Sequence, residues 1–133
     1  MDDITINKTS IIRRCLVRIA EEFQGNPDRL KISTVQDSVI LNLLRACEAA
    51  IDLAMHQVAV RHLGIPQNSR DAFDLLAACH MISEASAASM KRMVGFRNIA
   101  VHDYQRMQIE ILEAILTQHL GDFEVYFREF VRD

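Results

Sequence analysis

The sequence predicts an all-α fold, a single domain over residues 1–133 built as an antiparallel bundle of about five helices. Three observations carry that prediction. Apolar residues recur at steps of three and four through most of the chain, the spacing of one helix face. No segment of any length alternates with period two, so no sheet is expected. The length of 133 residues suits one domain, and Gly and Pro number only 4 and 2, too few for a loop-rich or disordered chain.

The elements follow in order. Ile12, Cys15, Leu16, Ile19 and Phe23 fall on one helical face, with Arg13, Arg14, Arg18, Glu21 and Glu22 on the others, so the first amphipathic helix covers about four turns. Gly25-Asn26-Pro27 ends it, and Gly64-Ile65-Pro66 marks a second stop, because Gly followed by Pro neither continues nor restarts a helix easily. Between these stops, Ser33 and Gln36 form a capping-box pattern that opens a helix to Leu63. From Val39 to Val60 this helix is apolar nearly all round, apart from a narrow stripe of Asn42, Arg45, Glu48, Asp52 and His56. Such a helix is central, with one polar seam. Asn68 or Ser69 caps a short helix with Ala72, Phe73, Leu75, Leu76 and Cys79 on its face. Ser83 caps the next, which carries Ala85, Ala88, Met90 and Met93 through Gly95 to a polar and aromatic knot at its end. A last helix sets Ile109, Leu112, Ile115 and Leu116 on one side and continues past a kink at Gly121 through Phe123, Val125, Phe127 and Phe130.

Composition removes several classes of function. A net charge of -3 argues against coating nucleic acid by bulk positive potential, while leaving room for a local basic cleft at Arg13, Arg14 and Arg18 or at Lys91, Arg92, Arg97 and Arg106. Cys15, Cys47 and Cys79 include no C-x-x-C pair and their number is odd, so the three read as small core residues. The start Met1-Asp2-Asp3 is acidic where a secretory signal needs basic residues, and no apolar run approaches the roughly 18 residues of a membrane span. The expectation is a soluble, cytoplasmic protein with no membrane partner. Gly-rich phosphate loops, H-E-x-x-H and G-x-S-x-G are absent.

Two constellations remain. Glu48, Asp52 and His56 stand one turn apart, a seam that satisfies itself against neighbouring helices or lines a site, with metal binding a distant second. The other is Arg97 to Tyr104, with a guanidinium, an imidazole, a carboxylate and a phenol inside eight residues. On a continuous helix Arg97 and His102 point about 140° apart, so the helix is expected to end near Val101 and return His102 beside Arg97. Arg matches phosphate oxygens and His moves protons near neutral pH, which suits attack of an RNA 2′-hydroxyl on its adjacent phosphate without a metal. The same residues also suit a helix C-cap in which His102 bonds the last carbonyls, Arg97 pairs with Asp103, and Tyr104 packs on the core.

Arg97, His102 and Tyr104 match the R-x4-H-x-Y signature of the HEPN ribonuclease superfamily. More narrowly, the chain resembles the HepT toxins of HEPN and minimal-nucleotidyltransferase (MNT) toxin–antitoxin pairs, through Asn42 to Glu48, Ile51-Asp52, the Pro66 turn with Ser69 to Phe73, and Phe96 to Tyr104. The resemblance implies a HEPN-like homodimer whose two motif copies meet at one cleft. It further implies an endoribonuclease that needs neither metal nor cofactor, with Arg97 and His102 catalytic. The implied partners are RNA and a cognate nucleotidyltransferase antitoxin that transfers AMP to Tyr104. Glu48, Asp52, Asn98 and Asp103 are the candidate supporting residues, and Tyr126, outside any motif, is expected in the core. The alternatives are a catalytically silent helical dimer that binds a nucleotide or protein, and a chain whose sole role is to be modified at Tyr104.

Overall fold

In the computed structural model of the chain, which describes residues 2–130, six α-helices and two short 3₁₀ turns account for the regular structure, with no strand among the described residues. Helix α1 spans Asp3–Phe23, α2 Ser33–Val60, α3 Ser69–Ala78, α4 Glu84–His102, α5 Ile109–Gln118 and α6 Gly121–Phe130; the 3₁₀ turns are Pro27–Lys31 and Tyr104–Arg106.

Helices α1 and α2 form the main pair, and α2 also packs against α3 and α4. The side-chain register shows the pair to be antiparallel: Asp2 meets His56, Thr5 meets Gln57, and Lys8 meets Asp52. At 28 residues, α2 is about 42 Å long, and its buried residues face neighbours on several sides. Leu43, Ala46, Leu53 and Ala54 are fully enclosed, as expected of a central helix. A second cluster closes the bundle from the C-terminal side. Tyr126 packs edge-on against Phe73, with ring centroids 5.6 Å apart, and against Phe130 at 5.2 Å, arrangements that favour the ring quadrupoles. Its hydroxyl donates to the Ala50 carbonyl at 2.8 Å. Tyr126 is therefore the core residue its sequence context suggests, binding α6 to the middle of α2. Glu129 of α6 accepts the Ser83 N–H at 2.9 Å and the Ser86 hydroxyl, which ties α6 to the start of α4.

Several boundaries differ from those read in the sequence, each for a local reason. Helix α1 begins about two and a half turns earlier, at Asp3, because Asp2 accepts the Thr5 N–H at 2.8 Å and because the buried stripe continues through Thr5 and Thr9. Polar threonines hide that stripe from a hydrophobic pattern. The Ser33–Gln36 capping box does not form: Ile32 is the cap residue, Ser33 is already helical, and the Gln36 amide donates to the Leu30 carbonyl at 3.1 Å. Asn68 and Ser83 do cap α3 and α4, accepting from Asp71 N–H and Ser86 N–H at 3.0 Å each.

Helix α2 stops at Val60, before the predicted Leu63. His62 takes a left-handed conformation (φ 55°), its N–H donating to Ala59 and that of Leu63 to Val58. His80 (φ 64°) ends α3 in the same way. Both are Schellman turns with histidine where glycine is usual, and so neither is announced by the sequence. The predicted last helix is two helices, α5 and α6, which raises the total from about five to six. The break lies at His119 and Leu120, where the Asp122 N–H bonds the His119 carbonyl, and it lets both Leu116 and Phe123 reach the core. Val125, predicted on the apolar face, is 56% exposed. Cys15 and Cys47 are buried, and burial holds both thiols above their ordinary range. Cys79 is exposed at the end of α3, contrary to a core role.

Candidate active site

The motif residues sit on and just beyond the end of α4. Met90, Met93, Val94, Phe96 and Ala100 are buried, and this stripe fixes the rotation of α4 so that Arg97 and Asn98 lie half-buried at its flank. There the central helix supplies Glu48. The Arg97 Nε donates to Glu48 Oε1 at 2.8 Å, and Nη1 donates to Asn98 Oδ1 at 3.1 Å. Two of the guanidinium's five N–H groups are thus committed and the rest remain for a ligand. A charge-assisted bond to a carboxylate both orients the fork and balances its charge at rest.

His102 is the last residue of α4, exposed, with no side-chain hydrogen bond among the described residues. The helix ends within one residue of Val101, as expected, but it does not return His102 beside Arg97. It keeps helical phase through the motif, and the two residues point about 140° apart within one chain. Asp103 follows as the C-cap, its carboxylate forming an ion pair with Arg106, Nε to Oδ2 3.2 Å, rather than pairing with Arg97. The C-cap alternative is thereby incomplete: Arg97 has a different partner, and Tyr104 is 44% exposed rather than packed in the core.

Tyr104 opens the 3₁₀ turn after α4, and its hydroxyl donates to Oδ1 of Asp37 at 2.7 Å. Burial of the ring edge and the neighbouring Asp37 carboxylate push the phenol up to about 12. Asp37, in the second turn of α2, is a site residue that sequence reasoning missed. It lies 67 positions from Tyr104 and belongs to no motif.

The polar seam of α2 divides among separate partners. Glu48 serves Arg97, Asp52 binds Lys8 at 3.0 Å, and His56 Nε2 lies 2.7 Å from Asp2 Oδ2. Asp52 therefore faces α1 and touches neither Arg97 nor His102. Among the described residues no group of three or more His, Cys, Asp or Glu side chains is placed to hold a metal ion.

Next to Asp37, Ser38 and Leu41 line a groove of about 600 Å³ between α1 and α2, edged by Arg14, Arg18 and Arg45. None of these three arginines has a carboxylate partner among the described ion pairs, whereas Arg13 pairs with Glu124, Lys91 with Asp74, and Arg106 with Asp103. Three unneutralised, permanent charges in one groove, on a chain of net charge -3, make a local anion-binding surface. A second, mostly apolar cavity of about 360 Å³ lies between α4, α5 and α6, lined by Phe96, Ile99, Ile111 and Ile115 with Arg92 and Asp122 at its edge.

An all-helical bundle that carries Arg-x4-His-x-Tyr at the end of its fourth helix is a HEPN-class domain. Comparison with known proteins narrows this. Residues 12–130 match the family model described as Ribonuclease HepT-like. The chain is 48% identical over 126 residues to the mRNA nuclease HepT of Shewanella oneidensis, covering 95% of each chain. It superimposes with a TM-score of 0.94 on the tri-AMPylated Shewanella oneidensis HEPN toxin, solved in complex with an MNT antitoxin, at 46% identity and with all of both chains covered. A toxin–antitoxin structure with AMP-PNP gives a TM-score of 0.92 at 44% identity, again over the whole of both chains. The Bacillus subtilis protein YutE shares the fold alone, with a TM-score of 0.72 at 14% identity over 92% of this chain and 87% of its own. The chain belongs to the HepT-like ribonuclease family.

Proposed function

We propose that the chain is the toxin of a toxin–antitoxin pair, an endoribonuclease that cleaves RNA with Arg97 and His102 and is neutralised when a nucleotidyltransferase antitoxin adds AMP to Tyr104. The observation that carries this reading is the state of the motif: Arg97 is preset by Glu48 and Asn98 with donors to spare, and His102 stands exposed five residues further on, at the end of the same helix. The family and its relatives, among them an mRNA nuclease and an AMPylated toxin bound to its antitoxin, support it.

The chemistry follows from residue types. One imidazole takes the proton of a 2′-hydroxyl as that oxygen attacks phosphorus, a second gives a proton to the departing 5′-oxygen, and Arg97 stabilises the negative charge that builds on the phosphoryl oxygens. The products are a 2′,3′-cyclic phosphate and a 5′-hydroxyl, and the step needs no metal. One chain offers a single His102, held out of line with its own Arg97 by the helix. A homodimer supplies the second motif copy and lets the guanidinium of one chain and the imidazole of the other converge. Val101 and Ile111, 46% and 42% exposed near the motif, together with the Phe96 and Ile99 cavity, form the apolar surface that supports such pairing.

The groove of Arg14, Arg18 and Arg45 carries the backbone of the RNA toward this cleft by contacts to phosphate. Tyr104 closes the argument for control. Of the two tyrosines, Tyr126 is fully buried and Tyr104 is 44% exposed, so only Tyr104 is open to a modifying enzyme. A phosphodiester and nucleoside there add bulk and negative charge where RNA phosphates must pass. Asp52, which faces Lys8, acts on the packing of α1 and α2, whereas Glu48, Asn98 and Asp103 shape the motif. Among the described residues no helix is long and apolar enough to cross a membrane, and RNA cleavage with a nucleotidyltransferase antitoxin supports a cytoplasmic site of action. Expression of the chain without its antitoxin is expected to arrest growth, and His102→Ala to relieve the arrest at equal protein level. Arrest by both proteins alike would contradict the reading.

A further inference from the structure

Asp37 is an acid with no place in the cleavage reaction, yet it accepts a 2.7 Å hydrogen bond from the hydroxyl of the tyrosine that receives AMP. The contact joins α2 to the turn after α4 and leaves both groups exposed, within reach of a docked enzyme. Transfer of an adenylyl group to a phenol requires that the phenolic proton depart as the new bond forms. Tyr104 is a reluctant acid, raised to about 12 by burial and by Asp37 itself, so near neutral pH it enters the reaction protonated and needs an acceptor close by.

We propose that Asp37 is the general base for the modification of Tyr104, so that this chain supplies a catalytic group to the reaction carried out upon it. The proposal rests on the acceptor role of Tyr104 given above. As Tyr104 Oη attacks the α-phosphorus of a nucleoside triphosphate held by the partner enzyme, its proton passes to Asp37 Oδ1. The Oη–P bond forms, the bond between the α-phosphorus and its bridging oxygen breaks, and pyrophosphate leaves with the electron pair. Nothing is oxidised or reduced. The arrangement is that of protein kinases, in which an aspartate accepts the proton of the substrate hydroxyl during phosphoryl transfer. Tyr126 has no such neighbour, since its hydroxyl donates to a backbone carbonyl that cannot hold the proton.

Asp37→Asn separates a base from a mere anchor, because asparagine keeps an oxygen that accepts the Tyr104 hydrogen bond but takes up no proton. The experiment follows transfer of label from ATP labelled at the α-phosphate to the full chain by the cognate nucleotidyltransferase. Wild type, Asp37→Asn, Asp37→Glu and Tyr104→Phe are compared, with circular dichroism to check folding. The expected result is a fall in kcat of about 100-fold or more for Asp37→Asn, with KM for the acceptor chain unchanged and a substantial part of the rate recovered in Asp37→Glu. Asp37→Asn labelled at the wild-type kcat, or impaired through KM alone, overturns the role of Asp37 while leaving Tyr104 as acceptor. Wild-type chain labelled no more than Tyr104→Phe overturns the acceptor role and this inference together.

Discussion

Replacing Glu48 by alanine should disable the enzyme far more than it destabilises the fold. Arg97 and Glu48 meet at 2.8 Å, with side chains 29% and 41% exposed. At that distance two unit charges attract by about 1.5 kcal/mol in water-like surroundings, and after side-chain ordering such exposed pairs contribute about 0.2–1 kcal/mol net. Alanine is also the best helix former, so Glu48→Ala should lower Tm by no more than about 4 °C. On the proposed role of Arg97, catalysis would depend on the same contact differently, because a guanidinium that swings free no longer waits at the reacting phosphate. Loss of a supporting partner of this kind typically reduces activity about 10–100-fold, which is about 1.4–2.7 kcal/mol in transition-state stabilisation. The assay is kcat/KM on a quenched fluorescent RNA, with thermal denaturation in parallel. Because Glu48 acts through Arg97, adding Glu48→Ala to Arg97→Ala should change the residual rate little. Wild-type activity in Glu48→Ala, or an equal loss in the Arg97→Ala background, would refute the reasoning.

Other expectations follow from single features. Thr9 Oγ1 is buried without a hydrogen-bond partner among the described residues, and an unpaired buried hydroxyl costs about 1–3 kcal/mol; Thr9→Val should therefore raise Tm by a few degrees in a thermal scan, and a lower Tm would show the hydroxyl to be satisfied. The hydrogen bond between His56 and Asp2, with the Thr5 N–H, holds the Asp2 carboxyl well below the usual carboxylate range. A depressed carboxylate stabilises the fold above its ordinary pKa of about 4 and loses that contribution as pH falls below it, so Asp2→Ala should flatten the acid limb of a stability–pH curve, and an unchanged limb would contradict this. Removing Arg14 and Arg18 together in an inactive His102→Ala background should weaken single-stranded RNA binding. It should also reduce the slope of log K against log salt by about 1.4, and an unchanged slope would mean that RNA takes another path.

What the sequence made legible was periodic or local. The buried faces of α2 and α3, Met90 and Met93 on α4, and the caps at Asn68 and Ser83 follow from spacing within a few turns. Ala85 and Ala88, read on the same face of α4, are exposed instead, and Tyr126 reads as core only because no motif surrounds it. What it concealed depends on polar residues doing the work of apolar ones, or on contacts distant in sequence. Thr5 and Thr9 carry the stripe that extends α1, and His62 and His80 adopt the left-handed turn that glycine usually marks. In the site, the polar seam was visible as a stripe, but its division was not. Only packing decides that Glu48 reaches Arg97, 49 positions away, while Asp52 one turn on reaches Lys8. Asp37 gave no signal at all, because its significance lies wholly in the phenol that the turn after α4 lays against it.

The most direct test of the central claim is to incubate the purified chain with total RNA in EDTA, beside His102→Ala, and to analyse the fragment ends. The account predicts cleavage by wild type alone, leaving 2′,3′-cyclic phosphate at the new 3′ ends. No cleavage by either protein, cleavage by both, or cleavage that EDTA abolishes would contradict a metal-independent ribonuclease centred on His102.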